Sequence, residues 1–205
     1  MCSSDLESAG GRIRKRLGIP DGKKVVLYAP TWRDDRYHAP GVQGFSLELD
    51  VSTMRDALGD DHVLLIRAHH FVTDRERHAG DGFVIDVSRY PDIAELYMAS
   101  DVLVTDYSSA MVDYAVLGRP IVVYAYDLAR YRDHVRGLYL DLEADAPGPV
   151  VTTSADVAEA VRQAPDGEEH HADAYDRFFV KYCPHDDGQA ASRVVDRIFG
   201  EVLTT

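Results

Sequence analysis

The chain has 205 residues, 45% of them hydrophobic, which is enough for one sizeable buried core and excludes a disordered segment. Its 35 acidic against 22 basic residues leave a net charge of −13, which argues against general nucleic-acid binding, because that needs a basic surface to displace counterions. Cys2 and Cys183 are too few and too far apart for a disulfide framework or a zinc site, and no apolar run reaches the roughly 18 residues of a membrane span.

The opening Met1-Cys2-Ser3-Ser4-Asp5-Leu6 lacks the basic region and long apolar run of a signal peptide, so the chain reads as cytoplasmic. Apolar runs bounded by turn residues then predict strands over 25–29, 63–66, 83–87, 102–104 and 121–124. Helices are predicted between them over 50–58, 91–99, 109–117 and 127–134, with Pro91 in a first turn and Gly118 at a helix end. Residues 34–44 read as a mobile Gly- and Pro-containing loop, and 137–149 as a loop-rich connection. A capped helix over 154–163, a polar break over 164–169 and amphipathic helices over 175–182 and 189–202 complete the chain. Strands apolar on both faces suit a parallel sheet with helices on each side, an α/β unit of Rossmann type.

Three strand ends carry polar clusters. Residues 102–104 run into Thr105-Asp106-Tyr107-Ser108-Ser109, residues 25–29 into Pro30-Thr31-Trp32-Arg33-Asp34-Asp35, and residues 63–66 into Arg67-Ala68-His69-His70. Ligands of parallel sheets bind beyond the carboxyl ends of the strands, so these clusters converge on one crevice. The serines open a helix, whose unpaired N–H groups and partial positive charge can hold a phosphate. Asp113, four residues past Ser109, shares its face and falls near a bound ribose. A Ser-capped core helix with a solvated Asp113 reads the same stretch equally well.

The motifs LYAPTWRDD (27–35), RAHH (67–70), YPDIAELYMASDVLVTDYSSAMVDYAVLGRPIVVYAYDLARYRD (90–133) and APGPV (146–150) resemble the carboxyl-terminal half of the CDP-glycerol glycerophosphotransferases, the teichoic acid polymerases and primases. The resemblance covers roughly 13–202, leaving 1–12 as a poorly matching tail and 13–205 as a CDP-glycerol-binding Rossmann-like domain with its C-terminal helices. It implies the second half of a GT-B fold, two Rossmann-like domains facing across a cleft. It also implies that Pro30, Thr31, Arg67, Ala68, His69, Ser108, Ser109 and Asp113 form the CDP-glycerol site. The family's presumed acceptor base is a histidine of an amino-terminal domain, which this sequence does not contain. The implied reaction is transfer of glycerol phosphate from CDP-glycerol to a hydroxyl of a teichoic acid linkage unit or growing chain, releasing CMP. The implied partners are a lipid-linked acceptor, an amino-terminal GT-B domain and the inner face of the cell membrane, touched peripherally. Rival readings are a CDP-ribitol or nucleotide-sugar transferase of the same fold and a non-catalytic nucleotide-binding domain.

Within that site His69 is expected to donate to the diphosphate or protonate the CMP leaving group, which makes it the catalytic candidate of this chain. Arg67 offers a planar fork of donors to phosphate, or pairs with Asp106 or Asp86. Thr31 is expected to bind the nucleotide through its hydroxyl and backbone, Pro30 to stiffen the turn, and His70 to point away. Trp32 reads as a buried wedge in preference to a base-stacking ring, and Arg33, Asp34 and Asp35 as a solvated turn with an ion pair. Asp34-Asp35 and His69-His70 lack a third metal ligand, and no GxxxxGK[ST] loop occurs, so neither a metal nor a cofactor is called for. Residues 124–136, with Arg130, Arg132 and Arg136, are the candidate contact for a polyanionic acceptor or membrane, or a solvated helix tethered by Asp127 and Asp133.

Overall fold

Alternating side chains along each strand feed two separate apolar layers, and that alternation builds the architecture. Val25, Leu27, Val63, Leu65, Leu103, Ile121 and Val123 face one layer, while Val26, Tyr28, Leu64, Ile66, Val102, Val104, Val122 and Tyr124 face the other. In this computed structural model, which describes residues 3–31, 33, 47–68, 82–164 and 168–200, the sheet is sandwiched between helices. Its strands are β1 (Lys24–Tyr28), β2 (His62–Ile66), β3 (Val84–Asp86), β4 (Val102–Thr105), β5 (Ile121–Tyr124) and β6 (Val150–Val151). They lie in the order β3-β2-β1-β4-β5-β6, every neighbouring pair parallel, with Leu27 in register with both Leu65 and Leu103. The chain reverses its direction of travel across the sheet between β1 and β4, the switch point where ligands of such sheets bind. The fold is thus the expected Rossmann-like α/β unit.

The helices are placed by their apolar faces. On the first layer lie α3 (Ile93–Ala99) through Leu96 and Tyr97, α4 (Ala110–Ala115) through Met111 and Tyr114, and α8 (Glu168–Tyr182) through Phe178. On the second lie α2 (Val51–Leu58) through Val51, Met54 and Leu58, and α7 (Ser154–Gln163) through Val157, Ala158 and Val161. Asp50 caps α2 by accepting from the backbone of Ser52 and Thr53, and Thr153 caps α7 by accepting from Asp156. Gly118 closes the α4 segment at φ +65°, the left-handed conformation glycine adopts without penalty.

Several elements differ from the sequence expectation. The amino-terminal stretch read as a tail forms α1 (Ser3–Arg16), which packs on α3. A Cβ on Gly10 would sit 2.5 Å from the Met98 carbonyl oxygen, so the two helices approach as closely as they do because position 10 is glycine. Arg14 then bonds Ala99 O at 2.8 Å and Asp101 at 2.7 Å. Asp92, not Pro91, immediately precedes α3 and caps it through Ala94 N, which leaves Pro91 outside the first turn. The predicted helix over 127–134 is a short turn, α5 (Leu128–Arg130), running into a π-helix over Tyr131–Val135. The connection over 137–149 contains α6 (Leu142–Asp145), and α9 (Ala190–Phe199) ends the described chain. No helix among the described residues is long and apolar enough to cross a membrane.

Candidate functional site

At the carboxyl ends of β1, β2 and β4 and in the loop after β3, a cavity of about 250 Å³ opens at the switch point. Ala29, Pro30, Arg67, Ala68, Ser88, Ile93, Ser108 and Ala110 line it. Four of the expected site residues, Pro30, Arg67, Ala68 and Ser108, therefore meet in one place. Ser88 and Ile93 are additions from the loop after β3 and the first turn of α3. The strand-end rule that singled out three junctions applies equally to the end of β3, and the Val87-Ser88 junction was its fourth instance.

Each wall has a local cause. The Arg67 backbone N–H continues the β1–β2 ladder by donating to Tyr28 O at 2.9 Å, and its Nη1 donates to Tyr90 O at 2.6 Å and Val87 O at 3.4 Å. The guanidinium is thus aimed by loop carbonyls, and not by the alternative partners Asp106 or Asp86. Ser88 ties the loop down, its Oγ accepting from Ala68 N at 3.0 Å. On the opposite wall, Ser108 Oγ accepts from Ala110 N at 3.2 Å and Ser108 O accepts from Met111 N at 3.3 Å. These bonds use the first N–H groups of α4, so the backbone donors left to a ligand there, among the described residues, are Ser108 N and Ser109 N. Ser109 is exposed and makes no side-chain cap bond, so the capping expected of both serines belongs to Ser108.

Two expected residues are placed differently from their assigned roles. Thr31 follows Pro30 but is not among the lining residues, and its N–H and hydroxyl both donate to Asp106 Oδ1, at 2.8 and 2.5 Å, leaving only the hydroxyl lone pairs to a ligand. Asp113 is exposed on α4 outside the cavity lining. It is near enough to act on Tyr97, whose pKa burial first and the Asp113 charge second push up to about 12. His69 and His70, Trp32, Asp34 and Asp35, and the loop over 34–44 lie outside the described residues. Among the described residues no three His, Cys, Asp or Glu side chains converge on a point that would hold a metal ion.

Arg33 overturns the solvated-turn reading, for it is 1% exposed and among the largest fully buried side chains. Its Nε and Nη2 grip Asp127 Oδ2 and Oδ1, each at 3.0 Å, and Nη1 donates to Thr31 O at 2.9 Å. Nη2 also lies 2.9 Å from Asp106 Oδ2, close enough for an ion pair, although that oxygen receives no aligned hydrogen bond among the described residues. The rings of Tyr107, Tyr126 and Tyr131 surround the guanidinium, their centroids 5.0, 5.4 and 4.8 Å from Cζ. Burial works against the charge, but the bonds to Asp127 and the field of Asp106 outweigh it and raise the pKa of Arg33. Tyr107, half-buried and donating to Asp127 at 3.0 Å, also has its pKa raised, by burial first and by Asp127 next. The residues that neutralise Arg33 lie 73 and 94 positions away, too far for local pattern to reveal.

The chain is similar to proteins of one known family. The family model described as CDP-Glycerol:Poly(glycerophosphate) glycerophosphotransferase matches residues 2–200. A teichoic acid glycerol-phosphate transferase of Staphylococcus aureus is 45% identical over 197 residues, which are 96% of this chain and 50% of the relative. A teichoic acid poly(glycerol phosphate) polymerase of Bacillus subtilis is 42% identical over 188 residues, 91% of this chain and 25% of the relative. The solved structure of the wall teichoic acid polymerase TagF superposes with a TM-score of 0.85 at 35% identity, covering 98% of this chain and 49% of that one. A TagF variant soaked with CDPG gives 0.84 at 36% identity, with 97% and 48% covered. The chain thus spans a half or less of these proteins' length. With the Rossmann-like sheet, the switch-point cavity and a family model matching nearly the whole sequence in hand, the chain belongs to the CDP-glycerol:poly(glycerophosphate) glycerophosphotransferase family.

Proposed function

We propose that this chain is the donor-binding half of an enzyme that transfers glycerol phosphate from CDP-glycerol to a hydroxyl of a teichoic acid linkage unit or growing poly(glycerol phosphate) chain, releasing CMP. The observation that carries the reading is the cavity itself, because Arg67 and Ser108 both line it, from the strands on either side of β1, at the switch point of a fold similar to that of a wall teichoic acid polymerase. The diphosphate rests against the Arg67 guanidinium, the Ser108 hydroxyl and the N–H groups of Ser108 and Ser109, which place positive charge and donors where the leaving group develops negative charge. The acceptor oxygen attacks the β-phosphorus in line, a new P–O bond forms, and the bond from that phosphorus to the oxygen bridging it to the α-phosphorus breaks. CMP departs with that oxygen, and His69 serves as the donor that protonates it or steadies the diphosphate.

Attack also needs a base within hydrogen-bond reach of the acceptor hydroxyl, and one Rossmann-like unit offers one wall of a cleft. The proposed enzyme therefore works with an amino-terminal GT-B domain on the opposite wall, on a lipid-linked acceptor at the inner face of the membrane. The test is release of CMP from CDP-glycerol with a lipid-linked acceptor analogue. Turnover is expected when an amino-terminal domain is supplied, fused or in trans, and not from residues 1–205 alone. Robust turnover by residues 1–205 alone, abolished by His69→Ala, would show that the two-domain argument is wrong.

A further inference from the structure

We infer that Arg33 is a positioning residue of the donor site, clamping the loops after β1, β4 and β5 so that the cavity walls at Pro30 and Ser108 keep a fixed separation. The inference deepens the reading of this cavity as a diphosphate site and rests on it. Asp106 is the joint between the walls. Its Oδ1 accepts from Thr31 N at 2.8 Å, Thr31 Oγ1 at 2.5 Å and Tyr107 N at 2.6 Å, so one carboxylate holds the residue after Pro30 and stands two positions before Ser108. Arg33 secures that joint from behind, with Nη2 at 2.9 Å from Asp106 Oδ2 and Nη1 at 2.9 Å from Thr31 O. The two-point grip on Asp127 adds the loop after β5, and Tyr107 and Tyr131, stacked at 4.2 Å, close the cage around the guanidinium.

Charge gives the cage a second consequence. Asp106 and Asp127 are two buried or nearly buried carboxylates beside a cavity meant for a diphosphate, and by themselves they would repel it. Arg33 offsets one of those two charges from inside the protein, so Arg67 and the serine donors are left to the ligand. A lysine at position 33 keeps a positive charge but has no planar fork to hold Asp127 at two points and reach Thr31 O and Asp106 at once. The geometry of the walls, more than the charge, should therefore fail in Arg33→Lys.

The test compares wild type, Arg33→Lys and Asp127→Asn, with circular dichroism and melting to establish that each is folded at the titration temperature. CDP and UDP are titrated by calorimetry, and cytidine, which lacks the phosphates, by NMR shift perturbation. Each folded variant is expected to lose at least tenfold in CDP affinity while cytidine affinity stays within twofold of wild type. A folded variant that binds CDP like wild type overturns the inference, as does a parallel loss of CDP and cytidine or the failure of both variants to fold, since the cage would then serve the fold alone. Failure of wild type to prefer CDP over UDP would instead contradict the proposed function, which separates the two results.

Discussion

Replacing Ser108 and Ser109 one at a time should separate two residues that look interchangeable in the sequence. Ser108 lines the cavity and its Oγ accepts from Ala110 N at 3.2 Å, which leaves its own proton to donate to a phosphate oxygen. A hydrogen bond to a charged partner contributes about 1.5–3 kcal/mol, so Ser108→Ala should weaken CDP-glycerol binding by about 10- to 150-fold. Losing the Ala110 bond should cost about 1 kcal/mol of stability, which lowers Tm by about 3 °C in a domain of this size. Ser109 is exposed and caps nothing through its side chain, and its backbone N–H survives substitution, so Ser109→Ala should stay within about 0.5 kcal/mol in stability. Its affinity should change little. Calorimetry with CDP-glycerol and a thermal melt of each variant make the comparison. Equal losses in the two variants, or an unchanged affinity in Ser108→Ala, would refute the assignment of Ser108 as the phosphate donor.

Gly148→Ala should destabilise without touching the site, because the new Cβ would fall 2.0 Å from the Ile121 carbonyl oxygen at the opposite end of the sheet from the cavity. A backbone clash of that kind should cost about 3 kcal/mol and about 6–12 °C in Tm, with donor affinity within twofold of wild type, and a small Tm change would contradict it. The Asp50 carboxyl is held down to about 2 from an ordinary 3.8, by hydrogen bonds from the Ser52 side chain first and Thr53 next. Its folded pKa lies below its unfolded one, so its contribution is present above about pH 4 and lost as pH falls through about 2. Melts from pH 5 to 1.5 should therefore fall more steeply for wild type than for Asp50→Asn, which keeps a capping oxygen and has no proton to gain. His69→Ala should weaken CDP-glycerol binding in calorimetry while leaving the melt unchanged, and unaltered binding would remove His69 from the donor site.

The parts of the fold legible in the sequence are those decided by neighbours a few residues away. Ile121–Tyr124 and Ser154–Gln163 were readable to the residue because an unbroken apolar run and a Thr-x-x-Asp start are local patterns. The first helix was hidden by Gly10-Gly11, which lower helix propensity, and Met98 supplies the packing reason for Gly10 alone. At two residues, Val150–Val151 was too short for any period, and its pairing with Val123 and Tyr124 identifies it as a strand. The site follows the same division. Pro30, Arg67, Ala68 and Ser108 were readable because strand ends are local and their convergence is a property of parallel sheets. The roles of Thr31 and Arg33 were not, because Asp106 takes both donors of the first and hides the charge of the second.

The claim on which the account turns is that the switch-point cavity is a cytidine diphosphate-alditol site, and a titration of residues 1–205 with CDP-glycerol and its UDP and ADP counterparts tests it most directly. The account predicts measurable binding of CDP-glycerol, tighter than that of either counterpart, and its weakening by Ser108→Ala. Equal affinity for all three, or CDP-glycerol binding that Ser108→Ala and Arg67→Ala leave untouched, would place the donor elsewhere and contradict it.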